Sequence, residues 1–284
     1  MKKIRTKIFA ALMIALCVSS CSQLNSGDRF VVISDNNQFQ YEVIVSKMNY
    51  VRLVNVTGTI PEALVIPPIV KNGRTSFTVT QIGPKAFQNC SELTSVRLPE
   101  TLSVIEEAAF EGCSSLREIN TPQPLSVIGD YAFNECVALK KFDLEASISS
   151  LGKGCFRGCV SLEEVKFPSS FSIIPNEAFM GCTSLRELNL PATIMQIGAD
   201  AFRNCVGIRD VYMDRSVQGI GDRAFMGCKG VESMTCMTSF PPICSESTFE
   251  GVATNIPVNV PMANVQDYQI AVGWSRFSHF VGKY

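Results

Sequence analysis

The sequence predicts a solenoid built from coils of 23 residues. A cysteine returns every 23 residues, seven times, and a phenylalanine precedes each one by three residues. A fixed period in this range is typical of stacked repeats, because one short unit cannot bury its apolar face alone. The cysteines are Cys90, Cys113, Cys136, Cys159, Cys182, Cys205 and Cys228. The phenylalanines are Phe87, Phe110, Phe133, Phe156, Phe179, Phe202 and Phe225.

Each unit carries a turn followed by a short strand. Leu185, Leu188 and Leu190 are spaced so that the last two point inward from one parallel strand. The Ala-Phe-x-x-Cys segment is too short for a helix, so we expect a single helical or 3₁₀ turn there. Except at Glu135, the residue before the cysteine is Gly or Asn, which tolerates left-handed backbone at the end of a turn. Prolines that end the strand are Pro99, Pro122, Pro168 and Pro191.

This pattern resembles the BspA-like class of bacterial leucine-rich repeats over about residues 80–250. The resemblance implies a leucine-rich-repeat solenoid of parallel strands and short helical or 3₁₀ turns. We assign residues 81–251 to the array, as seven repeats and one degenerate copy in which Gly251 and Val252 replace the cysteine. The pattern departs from the more familiar leucine-rich repeat because its cysteine precedes the strand. Surface display, and adhesion to host or bacterial proteins, are what the family implies for some members.

The flanking segments are predicted to close the two ends of the solenoid. Residues 30–80 alternate apolar and polar positions, which indicates a β-rich N-terminal cap. Residues 252–284 resemble the family's C-terminal cap, and we expect Trp274, the only tryptophan, to anchor it. Without caps, the first and last coils would expose the core.

The N-terminus is predicted to be an export signal. Residues 1–20 have a basic start and an apolar run too short to span a bilayer. The run ends at Val18-Ser-Ser-Cys21, which resembles a bacterial lipobox, so Cys21 is the predicted lipid-attachment site. The alternative is an ordinary secretory signal with Cys21 as a bystander. Residues 21–29 then form a lipid-anchored tether to the membrane.

Composition narrows the location and the partners further. By the bacterial sorting pattern, Ser22 after the cysteine implies an outer-membrane lipoprotein, on either its surface or its periplasmic face. Removing residues 1–20 leaves 21 basic and 26 acidic residues, a formal charge of −5. This balance does not predict binding to nucleic acid.

The cysteines are predicted to be structural. Their phase places the seven repeat thiols in one inward column, where cysteine acts as a small apolar residue, and an odd number argues against planned pairing. Disulfides remain the alternative in an exported chain, and whether Cys236 and Cys244 pair is open. No C-x-x-C motif occurs and the one histidine is His279, so we expect neither zinc nor another cofactor.

The sequence gives little reason to expect an enzyme. Residues 219–224 match a dinucleotide fingerprint, but they occupy the same register as residues 128–133 and therefore belong to the repeat. No phosphate loop or nucleophile elbow is present, and a His-dependent triad would have to use His279.

Outward side chains of the strands form ladders that are the predicted partner-binding surface. Glu164, Glu187 and Asp210 fall in adjacent coils of one ladder, and like charges so placed repel by about 0.2–1 kcal/mol per pair. With Asn189 and Tyr212, these acids are a candidate site for a basic partner or a cation. The alternative is a solvated face on which Arg186 and Arg209 neutralise the acids.

The predicted function is therefore binding or adhesion by a lipid-anchored envelope protein. The ladders lack a row of exposed aromatic residues, which favours a protein partner over a glycan. A structural envelope scaffold without a soluble ligand is the alternative.

Overall fold

The computed structural model describes residues 24–34, 37–144 and 148–284. The described chain is a β-solenoid of about nine turns, with a spacing of about 23 residues, parallel strands and little helix. The predicted fold class is confirmed.

The N-terminal part is a sheet that leads directly into the repeats. Three antiparallel strands come first and are followed by a β-hairpin. The second strand of the hairpin pairs in parallel with the third strand of the sheet and with the first repeat. These strands are β1 (Arg29–Ser34), β2 (Asn37–Val45), β3 (Tyr50–Thr57), β5 (Ile69–Asn72) and β6 (Thr75–Ile82).

The repeats stack two columns of short strands. The first column continues the N-terminal sheet from β6 as β8 (Val104–Ile105), β10 (Val127–Ile128) and β11 (Ser150–Leu151), and resumes as β12 (Ile173–Ile174), β14 (Gln196–Ile197) and β16 (Gly219–Ile220). The second column starts as β4 (Ala63–Val65), β7 (Ser95–Arg97) and β9 (Glu118–Ile119). It resumes as β13 (Glu187–Leu190), β15 (Asp210–Met213), β17 (Ser233–Cys236), β18 (Val258–Pro261) and β19 (Phe280–Lys283). The helix α1 (Val265–Ile270) follows β18.

A continuous stack of aromatic rings forms the centre of the core. Eight phenylalanines contribute one ring per coil, with neighbouring ring centroids 5.0–5.7 Å apart and planes within 15° of parallel. The Trp274 ring closes the stack at 4.9 Å from Phe249, and its indole N–H donates to the carbonyl of Pro242. The eight rings belong to Phe87, Phe110, Phe133, Phe156, Phe179, Phe202, Phe225 and Phe249.

The Ala-Phe-x-x-Cys segment folds as overlapping tight turns, and its backbone N–H groups alternate between two kinds of acceptor. In the first coil, the amides of Phe87 and Asn89 donate to carbonyls of the next coil at 2.8 and 2.7 Å. The intervening amides of Gln88 and Cys90 donate three residues back within the same coil, both at 3.1 Å. These local bonds are those of a 3₁₀ turn, but every second amide ties one coil to the next.

Left-handed backbone at two positions of each coil produces this alternation. The residue before the cysteine has a positive φ in all seven repeats, including 58° at Glu135, the one position where the sequence has neither Gly nor Asn. A second column lies four residues earlier and was not predicted, because its residues are mostly poor at left-handed turns. That column consists of Lys85, Ala108, Tyr131, Gly154, Glu177, Asp200 and Arg223.

We predict that Glu135→Gly stabilises the protein. Glu135 is exposed, and a left-handed backbone costs an L-residue about 1–2 kcal/mol, part of which glycine offsets with its larger loss of chain entropy. A net gain of about 0.5–1 kcal/mol should raise the urea midpoint. Gly158→Ala, in the same column with φ 70°, should lower that midpoint. A lower midpoint for Glu135→Gly would show that its side chain contributes more than its backbone costs.

Candidate binding face

The second strand column places most of the predicted site residues side by side. β13 and β15 pair in parallel so that Glu187 lies opposite Asp210, and Asn189 lies opposite Tyr212. All four side chains point away from the core, since Leu188 and Leu190 alternate with them and are buried. Tyr212 is 39% exposed. One coil therefore presents an acid and an amide, and the next presents an acid and a phenol.

Glu164 lies apart from this ladder. It pairs with Lys141 through an isolated bridge and is not paired with Glu187, so β13 is the edge of its five-stranded sheet. The three acids thus share one face, but a break in the sheet separates Glu164 from Glu187. The predicted ladder of three adjacent acids holds for Glu187 and Asp210 alone.

A cleft occupies the break. Its volume is about 770 Å³, and its two walls are residues 163–167 and the strand β13. Buried Val165 and Leu190 lie at its base, and Glu164, Glu187 and Asn189 line its rim. Tyr212 and Asp214 extend the lining into the next coil. An apolar base with a few polar groups at the rim is the composition of a typical binding pocket.

Two extra aromatic rings explain where the ladder breaks. Most coils fill the inward strand positions with aliphatic residues, but Phe142 and Phe167 occupy them in two adjacent coils. The Phe142 ring lies 5.0 Å from both Phe133 and Phe156, and the Phe167 ring lies 5.7 Å from Phe179. Extra volume in a close-packed core forces the backbone to shift. These coils retain only the single Lys141 bridge of the strand column.

The charges on the face are not neutralised as the alternative required. Arg209 lies 3.2 Å from Glu232, and Asp210 instead accepts a hydrogen bond from the Ser233 hydroxyl. Glu164 has an exposed ion pair with Lys166 at 3.7 Å, which contributes little. No group of three His, Cys, Asp or Glu side chains that could hold a metal ion occurs among residues 24–34, 37–144 and 148–284. The geometry therefore favours the basic-partner hypothesis over the cation hypothesis.

The repeat cysteines lie in one column against the ring stack. Six of them are buried and free, and each donates its thiol hydrogen to the phenylalanine carbonyl of the preceding coil at 3.0–3.2 Å. The exception is Cys90, which is only partly buried because it lies at the N-terminal end of the column. Burial raises the pKa of Cys113 and of Cys228 to about 12. These thiols act as small apolar residues with one weak donor.

The other cysteines also have non-covalent partners. Cys236 and Cys244 are free, so the structure does not join the pair that the sequence left open. The Cys236 sulfur lies 3.3 Å from the Tyr268 hydroxyl, and the Cys244 thiol donates to the carbonyl of Val272. Cys155 is buried at a position where most coils have alanine. Cys21 lies outside the described residues.

Comparison with known proteins identifies the repeat. A family model described as the BspA type leucine-rich repeat region matches residues 80–209 and 149–268, with six copies. The chain belongs to this family. BspA-type repeats therefore cover the ring stack, the thiol column and the cleft. No curated protein matches the chain.

Solved structures share the fold. A leucine-rich cell surface protein from Faecalibacterium prausnitzii superposes with a TM-score of 0.67 at 22% identity, over 82% of this chain and 71% of that one. A leucine-rich repeat protein from Bacteroides ovatus gives 0.54 at 24% identity, over 86% and 75% of the two chains. The pneumococcal vaccine antigen PcpA gives 0.54 at 14% identity, over 92% of this chain and all of that one. At these identities the similarity establishes the fold alone.

None of the helices in the described part of the chain is long and apolar enough to cross a bilayer.

We predict that native thiol labelling separates the cysteines into two classes. Cys90 and Cys244 are partly exposed and should react first, slowly because burial raises the pKa of both thiols, that of Cys244 to about 12. Their rates should rise about tenfold per pH unit between pH 7 and 9, because only the thiolate reacts. The buried thiols should react only in denaturant, as mass spectrometry of labelled peptides can establish. Rapid native labelling of Cys136, Cys159 or Cys182 would contradict the buried column.

Proposed function

We propose that the protein is an exported, lipid-anchored envelope protein that binds a protein partner through the second strand column. The observation that carries the proposal is the cleft between residues 163–167 and β13, with its apolar base and charged rim. An array whose only role was structural would gain nothing from a break in its sheet, because the break removes hydrogen bonds between coils. Membership of the BspA-type family, and a structural neighbour described as a cell surface protein, support this role.

The anchor and the domain boundaries are part of the proposal. Residues 1–20 are the signal peptide, Cys21 carries the lipid, and residues 21–29 link it to the N-terminal cap at residues 30–80. The array over residues 81–251 then extends from the membrane, and residues 252–284 close its far end. Lipid attachment at Cys21 would leave the whole strand column free to meet a partner.

The partner surface is proposed to be Glu164, Glu187, Asn189, Asp210 and Tyr212. These side chains combine exposed acids, an amide and a phenol, and such polar groups around an apolar base give orientation and specificity. Their charge fits a partner with a basic contact surface.

We predict that Cys21→Ser releases the protein from the membrane. Without the acceptor thiol, the chain should move from the detergent phase to the aqueous phase in phase partition of cell envelopes. Ser22→Ala should remain in the detergent phase, as a matched control. Detergent partition of Cys21→Ser would point to another anchor.

We predict that replacing three acids by serine abolishes partner capture. The residue 22–284 fragment, immobilised and exposed to extracts of surface proteins, should lose at least about tenfold of its specific partner in the variant Glu164→Ser, Glu187→Ser, Asp210→Ser. The control variant Glu118→Ser, Glu232→Ser removes exposed acids on other coils and should retain the partner. Protease treatment of intact cells should remove the wild-type protein if the face points outward.

Two outcomes would contradict this proposal. Undiminished capture by the triple variant would remove the acidic face from the interface. Failure to capture any partner, together with resistance to protease on intact cells, would favour a periplasmic scaffold.

A further inference from the structure

The strand β13 has one paired edge and one edge that faces the cleft. On its paired side, residues of β13 match β15 in parallel register, from Glu187 opposite Asp210 to Leu190 opposite Met213. On its other side, Glu187, Asn189 and Leu190 line the cleft, and residues 163–167 form the opposite wall. Elsewhere in the column, successive strands pair directly, as β15 does with β17.

The two walls diverge at a definite point. The amide of Ser184 still donates to the carbonyl of Val160 at 3.1 Å, so the coils are in contact before the strand begins. On either side of the cleft the next step of the ladder is intact. The amide of Glu163 donates to Lys140, and the amide of Arg209 donates to Arg186. The separation is therefore confined to the pair of coils that enclose the cleft.

We propose that the cleft binds an extended, positively charged segment of a partner protein, whose main chain pairs with the free edge of β13. This proposal rests on the proposed function and adds the conformation and charge of the segment. An unpaired strand edge presents a row of N–H and C=O groups, and an extended peptide is the ligand that satisfies them. Such an addition replaces the strand partner that the preceding coil does not supply.

The charges of the cleft determine the sign of the segment. Its lining contains four acidic residues and two basic ones: Glu163, Glu164, Glu187 and Asp214 against Lys166 and Arg186. Asp210 adds a further carboxylate directly beside Glu187. An extended segment projects alternate side chains to one side, so lysines at every second position would face this rim.

The rest of the lining suits the stem of a long basic side chain. Lysine and arginine bury their methylene groups on apolar surface and leave the charge at the rim. Val165, Phe167 and Leu190 provide that apolar surface. The exposed ring of Tyr212 can accept a cation over its face. A volume of about 770 Å³ holds several side chains.

Three short synthetic peptides test the proposal. The first alternates lysine with threonine, the second replaces every lysine by glutamate, and the third is the lysine peptide with N-methylated backbone amides. Fluorescence polarisation measures their affinity for the residue 22–284 fragment, and amide hydrogen exchange locates the site. The lysine peptide should bind and slow exchange in Glu187–Leu190. The glutamate and N-methylated peptides should each bind at least about tenfold more weakly.

A pair of matched variants separates the cleft from general charge attraction. Glu187→Gln should weaken the lysine peptide at least about fivefold, since it removes the carboxylate on the strand edge. Glu118→Gln changes the same repeat position on β9, outside the cleft, and should leave the affinity unchanged.

Several results would overturn the proposal: no binding of the lysine peptide at millimolar concentration, equal binding of the glutamate or the N-methylated peptide, equal effects of the two variants, or no protection of β13. If a native partner still depends on Glu164, Glu187 and Asp210 while the peptides fail, the proposed function stands and this inference fails. If the peptides bind but no partner is captured, the proposed function fails and the peptide site remains.

Discussion

The phenylalanine carbonyl is the point on which the stacking of this protein depends. In the middle coils it accepts two hydrogen bonds, one from the cysteine amide of its own coil and one from the cysteine thiol of the next. The ring of the same residue stacks on its neighbours at about the spacing of adjacent strands. Backbone, thiol and ring therefore enforce one phase, so a coil of another length would break all three contacts. This explains why the 23-residue period does not vary across the seven repeats.

Periodicity made the core predictable. Because Phe133, Cys136 and Leu139 recur in register with every other coil, their burial in one column follows from the spacing alone. The thiol hydrogen bond does not follow from it, since an apolar role explains the cysteine equally well. The left-handed backbone at Glu135 was missed because no local residue signal marks it. There, contacts with the adjacent coils override the preference of the side chain.

The cleft could not be read from the repeat pattern for a different reason. Val165 and Phe167 are apolar and in phase, so the sequence predicts an ordinary strand in that coil. What breaks the ladder is the volume of the rings of Phe142 and Phe167 beside an already complete stack. Pattern rules count apolar positions and do not measure volume, whereas close packing responds to a difference of a few methylenes. The predicted acids were therefore found on the correct face, but the gap between Glu164 and Glu187 was not anticipated.

The position of the break links stability to function. The turn column stays fully bonded past the cleft, as the amides of Phe156 and Gly158 still donate to the next coil at 2.9 and 2.8 Å. The solenoid is thus held together on one side while the strand side opens. A repeat protein tolerates such a local loss because each coil depends only on its neighbours. The same independence keeps the opening local, so the array can present one specific site on an otherwise regular surface. In this protein the strand edge, the acids and the apolar base meet in that one place.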